Sequence, residues 1–96
     1  MTLPTLGAIF RPQFPPETLP AAIAEAESNG LAQLWLWEDC FLHGGLTTAA
    51  VALSGTLGTS VGLGLMPVPL RNVAVAAMEI ATLERLFPGR LRLAVG

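Results

Sequence analysis

The sequence is short of charge. Asp, Glu, Lys and Arg together make up 12% of its 96 residues, where a soluble domain carries about 25%. Lysine and tyrosine are absent, and all five basic residues are arginines. With a formal net charge of −2 and its arginines scattered, the chain has no basic patch to attract a nucleic-acid backbone, so no nucleic-acid partner is expected. A single cysteine, Cys40, excludes an internal disulfide. One cysteine with one histidine, His43, also excludes a Cys/His zinc site, and no metal is expected. The N-terminus lacks the basic segment and apolar run of a secretory signal, so a cytoplasmic location is expected.

Apolar residues are in excess, at 52% with a mean hydropathy of +0.59. From Gly44 to Leu70 there is no charged residue, a length that could cross a bilayer, which needs about 20 residues. That run nevertheless holds six glycines, two prolines, four threonines and two serines, and is broken by "SGTLGTS". A helix, a turn and a strand account for it better than a span, so no membrane association is expected.

The punctuation between apolar runs is regular. "LGAIF" (Leu6–Phe10) reads as a strand ended by the prolines of "RPQFPP". Thr18 can cap a helix through "LPAAIAEAES", where Leu19, Ile23 and Ala26 share a face and Asn29-Gly30 supplies the stop. "LAQLWLW" is a second strand, "LTTAAVALSGTL" a short buried helix, and "SVGLGLM" (Ser60–Met66) a third strand closed by Pro67 and Pro69. Asn72 caps a longer helix in which Val73, Ala76, Ala77, Ile80 and Leu83 recur at helical spacing; Pro88-Gly89 ends it and "LRLAV" (Leu91–Val95) is a fourth strand. Strands alternating with helices in this way predict parallel strands with right-handed crossovers, a β-α-β-α-β-α-β unit of the α/β class. The strands are apolar along their length, as when both faces are covered. A small doubly wound sheet or half of an eight-stranded barrel would fit. The half barrel is favoured because the sequence stops at the fourth strand and its surface is too apolar for a finished domain. A complete barrel needs about 250 residues. Residues 1–96 are thus expected to form one partial domain.

One stretch resists this reading. "LWLWEDC" (Leu34–Cys40) runs from a buried strand straight into two acids, Glu38 and Asp39, and the lone cysteine. On pattern alone, solvation at a strand end would suffice.

"VGLGLMPVPLRNVAVAAMEIATLERLFPGRLRLAVG" (Val61–Gly96) resembles the bacterial luciferase-like (LLM class) family of flavin- and deazaflavin-dependent oxidoreductases. Gly62, Gly64, Pro67, Pro69, Leu70 and Arg71 match that family's third-strand pattern, and Ala81, Leu83, Leu86, Gly89, Arg90, Val95 and Gly96 its fourth-strand pattern. "AESNGLAQLW" (Ala26–Trp35) is similar to its A-E-x-x-G-F-x-x-L-W. The likeness covers nearly the whole chain but only the first third or so of a family member. It implies the N-terminal half of a (β/α)8 TIM barrel, with Glu38, Asp39 and Cys40 at the mouth where such barrels place their active sites. Against the family's W-x-x-[DE]-H, the acid falls on Glu38 and the histidine on Asp39, so the usual proton-transfer histidine is missing. The resemblance implies Glu38, Asp39 and Cys40 as catalytic candidates, with Asp39 able to move a proton if an apolar mouth raises its pKa.

The family also often holds a non-proline cis peptide beneath the flavin ring, which maps onto Gly64-Leu65. A bare glycine backbone there lets a planar ring approach closely. Gly64, Leu65, Met66 and Phe10 are therefore the implied cofactor-binding residues. The implied cofactor is coenzyme F-420 (deazaflavin), with FMN and oxygen as the alternative chemistry of a monooxygenase, and a small organic molecule as substrate. A homodimer through the second and third helices is also implied, and a half barrel that only dimerises, without catalysis, is the reading of another class. Of the remaining residues, His43 reads as a surface loop residue. Arg71 beside a helix N-terminus suggests a specific partner, such as a carboxylate or the cofactor, with a solvent-facing arginine the equal alternative. Arg90 reads as structural, Trp35 and Trp37 as core or interface aromatics, and Phe10 with Gln13 as residues near the mouth.

Overall fold

In the computed structural model, which describes residues 3–96, four parallel strands lie in the order of the chain: β1 (Gly7–Ile9), β2 (Gln33–Leu36), β3 (Ser60–Met66) and β4 (Leu91–Val95). Between them run α1 (Leu19–Ser28), α2 (Gly45–Ser54) and α3 (Val73–Leu86). Sequential parallel order matters here. Right-handed crossovers that all step the same way put every helix on one face of the sheet, as in a barrel, whereas a doubly wound sheet reverses and covers both.

The register shows which face is covered. Ala8, Leu34, Val61 and Leu91 form one cross-strand row and Leu36, Leu63 and Leu93 the next. Leu34, Leu36, Val61 and Leu63 are buried against Leu19 and Ile23 of α1, Leu46, Ala49, Ala52 and Leu53 of α2, and Ala76 and Leu83 of α3. The intervening row is Ile9, Trp35, Gly62 and Arg92. No helix packs on that second face among the described residues, and Ile9 is 60% exposed there. The expectation that both faces are covered is corrected: the sheet alternates, with one face in the core and the other open. Beyond β3 the cover thins, and β4 is exposed along most of its length.

Local chemistry sets the boundaries. Asn72 caps α3, its Oδ1 accepting from the amides of Ala74 and Val75 at 2.8 and 3.3 Å. Gly30 (φ 77°) and Gly89 (φ 73°) take the left-handed turns that end α1 and the loop after α3. Thr18 does not cap α1. A 3₁₀ turn at Pro16–Thr18 runs directly into the helix, and the Thr18 hydroxyl donates to the Pro15 carbonyl at 2.7 Å. The uncharged run Gly44–Leu70 resolves into α2, a turn and β3, and no helix of the described residues is long and apolar enough to cross a membrane.

Two charged residues fasten the N-terminal ends of the strands. The carboxylate of Glu27 accepts from the amides of Leu57, Gly58 and Thr59 and from the Thr59 hydroxyl, at 2.8 to 3.3 Å. The amides of Gly58 and Leu57 hold its carboxyl below the ordinary value of 4.5. Arg90 donates to the carbonyls of Thr59, Leu53 and Thr56 at 3.1 to 3.2 Å and to the Thr56 hydroxyl. Its guanidinium thus meets the carbonyl end of α2, where the helix dipole favours a cation, and lies 5.7 Å from the Phe87 ring centroid. The structural role expected of Arg90 is what the structure shows.

Candidate active site

At the other end of the strands the chain leaves β2 and does not go straight to solvent. The Glu38 amide donates to the Leu65 carbonyl at 3.4 Å, which turns the side chain inward; Glu38 is 5% exposed. One carboxylate oxygen, Oε2, accepts from the Gly45 amide at 2.6 Å and from Arg71 Nη2 at 2.5 Å. Gly45 is the first residue of α2, so the carboxylate sits at the positive end of that helix. A Cβ on Gly45 would fall 2.7 Å from a Leu63 methyl, which is why this helix start is a glycine. Arg71 follows the 3₁₀ turn Val68–Leu70 beyond β3. One carboxylate therefore ties together the loops after β2 and β3 and the start of α2. Burial is the largest influence on Glu38 and raises its carboxyl. The Arg71 hydrogen bond, the Gly45 amide and the Arg71 charge outweigh it and hold the carboxyl below 4.5.

The other half of this arrangement is unpaired. Glu38 Oε1, Arg71 Nη1 and both ring nitrogens of His43 are buried with no hydrogen-bond partner among the described residues. Beside them lies an open pocket of about 220 Å³ lined by residues of the loop after β2, Glu38 to Gly44, and by Leu70 and Arg71. Phe10 lies next to it, its ring centroid 6.1 Å from that of His43 and packed edge-on to Phe14 at 5.4 Å.

The expected catalytic trio is thus divided. Glu38 is inside and ion-paired. Asp39 and Cys40 are exposed, Asp39 accepting from Trp37 Nε1 at 3.2 Å. The enclosure expected around Asp39 is found around Glu38 and His43 instead. His43 is corrected from a surface loop residue to a member of the site, half-buried with both nitrogens covered. Arg71 has the carboxylate partner its position suggested, and that partner is Glu38.

Among the expected cofactor residues, the Gly64–Leu65 peptide is cis, at the position the resemblance marks. Gly62 and Gly64 do form a bare floor, but the ring lying on it is the chain's own. A Cβ on Gly62 would meet the Trp35 indole at 2.3 Å, and one on Gly64 at 3.1 Å. Trp35 stays half-buried on the open face, its Nε1 donating to Gln33 Oε1 at 3.1 Å. Leu65 is 45% exposed, whereas Met66 and Phe10 are buried at 4% and 5% in the core. The guanidinium of Arg11 lies 6.0 Å from the Trp37 ring centroid. Among the described residues no group of three or more His, Cys, Asp or Glu side chains could hold a metal ion.

Comparisons with known proteins agree with this architecture. No curated protein matches the chain significantly. Among solved structures, the coenzyme F420-dependent tetrahydromethanopterin reductase of Methanopyrus kandleri superposes with a TM-score of 0.82 at 24% identity, over 96% of this chain and 26% of that one. At that identity the likeness speaks for the fold, and the chain spans about a quarter of the reductase's length. The model of the luciferase-like monooxygenase family matches residues 3–96. The sheet order, the one-sided helices and a match over almost the whole sequence lead to one assignment: the chain belongs to the luciferase-like monooxygenase family.

Proposed function

We propose that this half barrel is the N-terminal part of an oxidoreductase that passes a hydride between coenzyme F-420, a deazaflavin, and a small organic substrate. The observation that carries the reading is the open face of the sheet beside the mouth. Ile9 and the Trp35 indole, which covers Gly62, form an uncharged strip, and Gly64 and Leu65 continue it. That strip fits the flat ring of a deazaflavin or flavin, and family membership supports a cofactor of that kind. The cofactor, when bound, supplies the hydride. The chain's own part is to present Trp35 and the Gly64–Leu65 backbone to the ring, to shield one side from water with Leu65, and to hold Glu38, Arg71 and His43 beside the substrate's end of the mouth.

The coenzyme F420 dependence of the Methanopyrus reductase supports F-420 over FMN. A cytoplasmic homodimer is the assembly proposed with this function, supported by the exposed Val51, Val75 and Met78 on α2 and α3. Titration of the protein with the deazaflavin and, separately, with FMN, followed by cofactor fluorescence and visible absorbance, tests the reading. Saturable binding of the deazaflavin is expected, and Gly64→Val should abolish it. Binding of FMN alone would replace the reading by an FMN-dependent monooxygenase. Normal cofactor binding by Gly64→Val would overturn the role given to that backbone.

A further inference from the structure

We propose, resting on the oxidoreductase reading, that the flat ring of the cofactor stacks on the open face of the Trp35 indole, and that Gly62 and Gln33 are positioning residues that hold the indole down to receive it. A Cβ on Gly62 would lie 2.3, 2.4 and 2.5 Å from Cε3, Cζ3 and Cδ2 of Trp35. Distances so even mean that the indole turns its face to the glycine, since an edge-on ring would put two of the three distinctly farther away. The same ring reaches towards Gly64, whose Cβ would lie 3.1 and 3.3 Å from Cζ3 and Cε3. One face of the indole is therefore laid on the backbone of β3, and any side chain at position 62 would lift it off.

The polar edge of the indole is satisfied within the chain. Its Nε1, which can only donate, donates to Gln33 Oε1 at 3.1 Å, two residues earlier on the same face of β2. A half-buried tryptophan whose N–H is already taken has only its π surface left to offer. That surface turns away from β3, on the side of the sheet where no helix packs among the described residues and where the neighbouring Ile9 is 60% exposed. Aromatic rings stack on such a surface face to face and offset, and an electron-rich indole suits an electron-poor partner, as a deazaflavin or flavin ring is. Fixing the indole in advance lowers the ordering cost of binding.

An excited flavin or deazaflavin ring in near contact with an indole takes an electron from it and returns it, so its emission is quenched. The emission lifetime of the deazaflavin, and separately of FMN, would be followed as each is titrated with the protein. Bound cofactor is expected to show shortened emission in the unaltered protein and in Trp37→Phe. Trp35→Phe should keep a ring to stack on but lose the quenching, and Trp35→Ala should also bind about tenfold more weakly, the loss of one stacked pair. Gly62→Ala, which lifts the indole, and Gln33→Leu, which frees its N–H, should both lengthen the emission again. None of these residues belongs to the buried core, so the fold should be retained. The unaltered protein and Trp35→Phe decide the matter even if the other variants do not fold. Bound cofactor with unshortened emission, or quenching that follows Trp37 instead, overturns the proposal and leaves the oxidoreductase reading standing. So does tighter binding by Trp35→Ala, which would mean that the indole occupies the ring's own place. Absence of saturable binding by either cofactor would remove both.

Discussion

At the N-terminal ends of the strands, Glu27 accepts from three amides and a hydroxyl and Arg90 donates to three carbonyls and Thr56, whereas at the C-terminal ends Glu38, Arg71 and His43 leave four buried polar atoms without a partner among the described residues. The two ends are built from the same residue types on the same four strands. What differs is completeness. A carboxylate that takes up the free amides of a tight loop, and a guanidinium that takes up the last carbonyls of a helix, hold the fold. A carboxylate with one oxygen committed and one free holds the fold with half of itself and offers the other half to something else. This is the division expected of a barrel, in which the bottom serves stability and the mouth serves function.

The largest effect should come from breaking the mouth pair. Glu38→Ala removes the acceptor for both Gly45 and Arg71 and leaves a partly buried cation uncompensated, since the Arg71 side chain is 22% exposed. Loss of about 3 kcal/mol is expected, at the low end for a buried pair because of that exposure; urea unfolding would measure it. A change near zero would mean that the carboxylate does not join the three segments at all.

Arg90→Ala tests the other end. It strips hydrogen bonds from three carbonyls and Thr56 at the close of α2. A cost of about 2 kcal/mol follows from carbonyls left partly unsatisfied, with deazaflavin binding unchanged. Weaker binding in this variant, at equal foldedness, would erase the distinction between the two ends.

Acid sharpens the same comparison. The folded value of Glu27 is depressed below 4.5, so its hydrogen bonds contribute stability above about pH 4.5 and are lost as pH falls through the lower folded value. Glu27→Gln should therefore be less stable than the parent at pH 7, and the difference should shrink as the pH drops below 4.5 in a series of thermal melts. Glu38 is depressed as well, so Glu38→Gln should show the same convergence. A gap that stays constant with pH would mean that neither carboxylate is favoured in its charged form.

Much of the fold was legible because its signals are local and periodic. The ranges of β3 and β4 and the Asn72 cap of α3 were readable from apolar runs bounded by Pro, Gly and Asn. β1 and β2 came out shorter than their apolar runs, as Gly7–Ile9 and Gln33–Leu36, because the ladder pairs only where both neighbours are extended. The open inner face was hidden, since apolar residues along a strand read the same whether the second face is covered or not. In the site, a charge at the end of a buried strand announced Glu38, and a cation at a helix N-terminus suggested a partner for Arg71. His43 could not be read, because its position depends on a turn at an unlikely residue. The Leu42 amide closes onto the Asp39 carbonyl at 3.1 Å with Phe41, third in the turn, at φ 70°. Such a turn ordinarily takes glycine or asparagine at that place, and a phenylalanine there gives no turn signal.

That turn supplies the smallest and most discriminating test. A side chain other than glycine in the left-handed region costs roughly 1–2 kcal/mol, and the Phe41 ring, 99% exposed, recovers none of it by burial. Phe41→Gly should therefore stabilise the protein by about 1 kcal/mol after the extra freedom of glycine in the unfolded chain is offset, seen as a higher urea midpoint. If the ring serves the pocket it lines, deazaflavin binding should weaken in the same variant even as stability rises. Stability and binding moving in opposite directions is the signature of a residue kept for the site at the expense of the fold. A variant that is both less stable and equally competent to bind would place Phe41 with Arg90, among the residues that only hold the structure together.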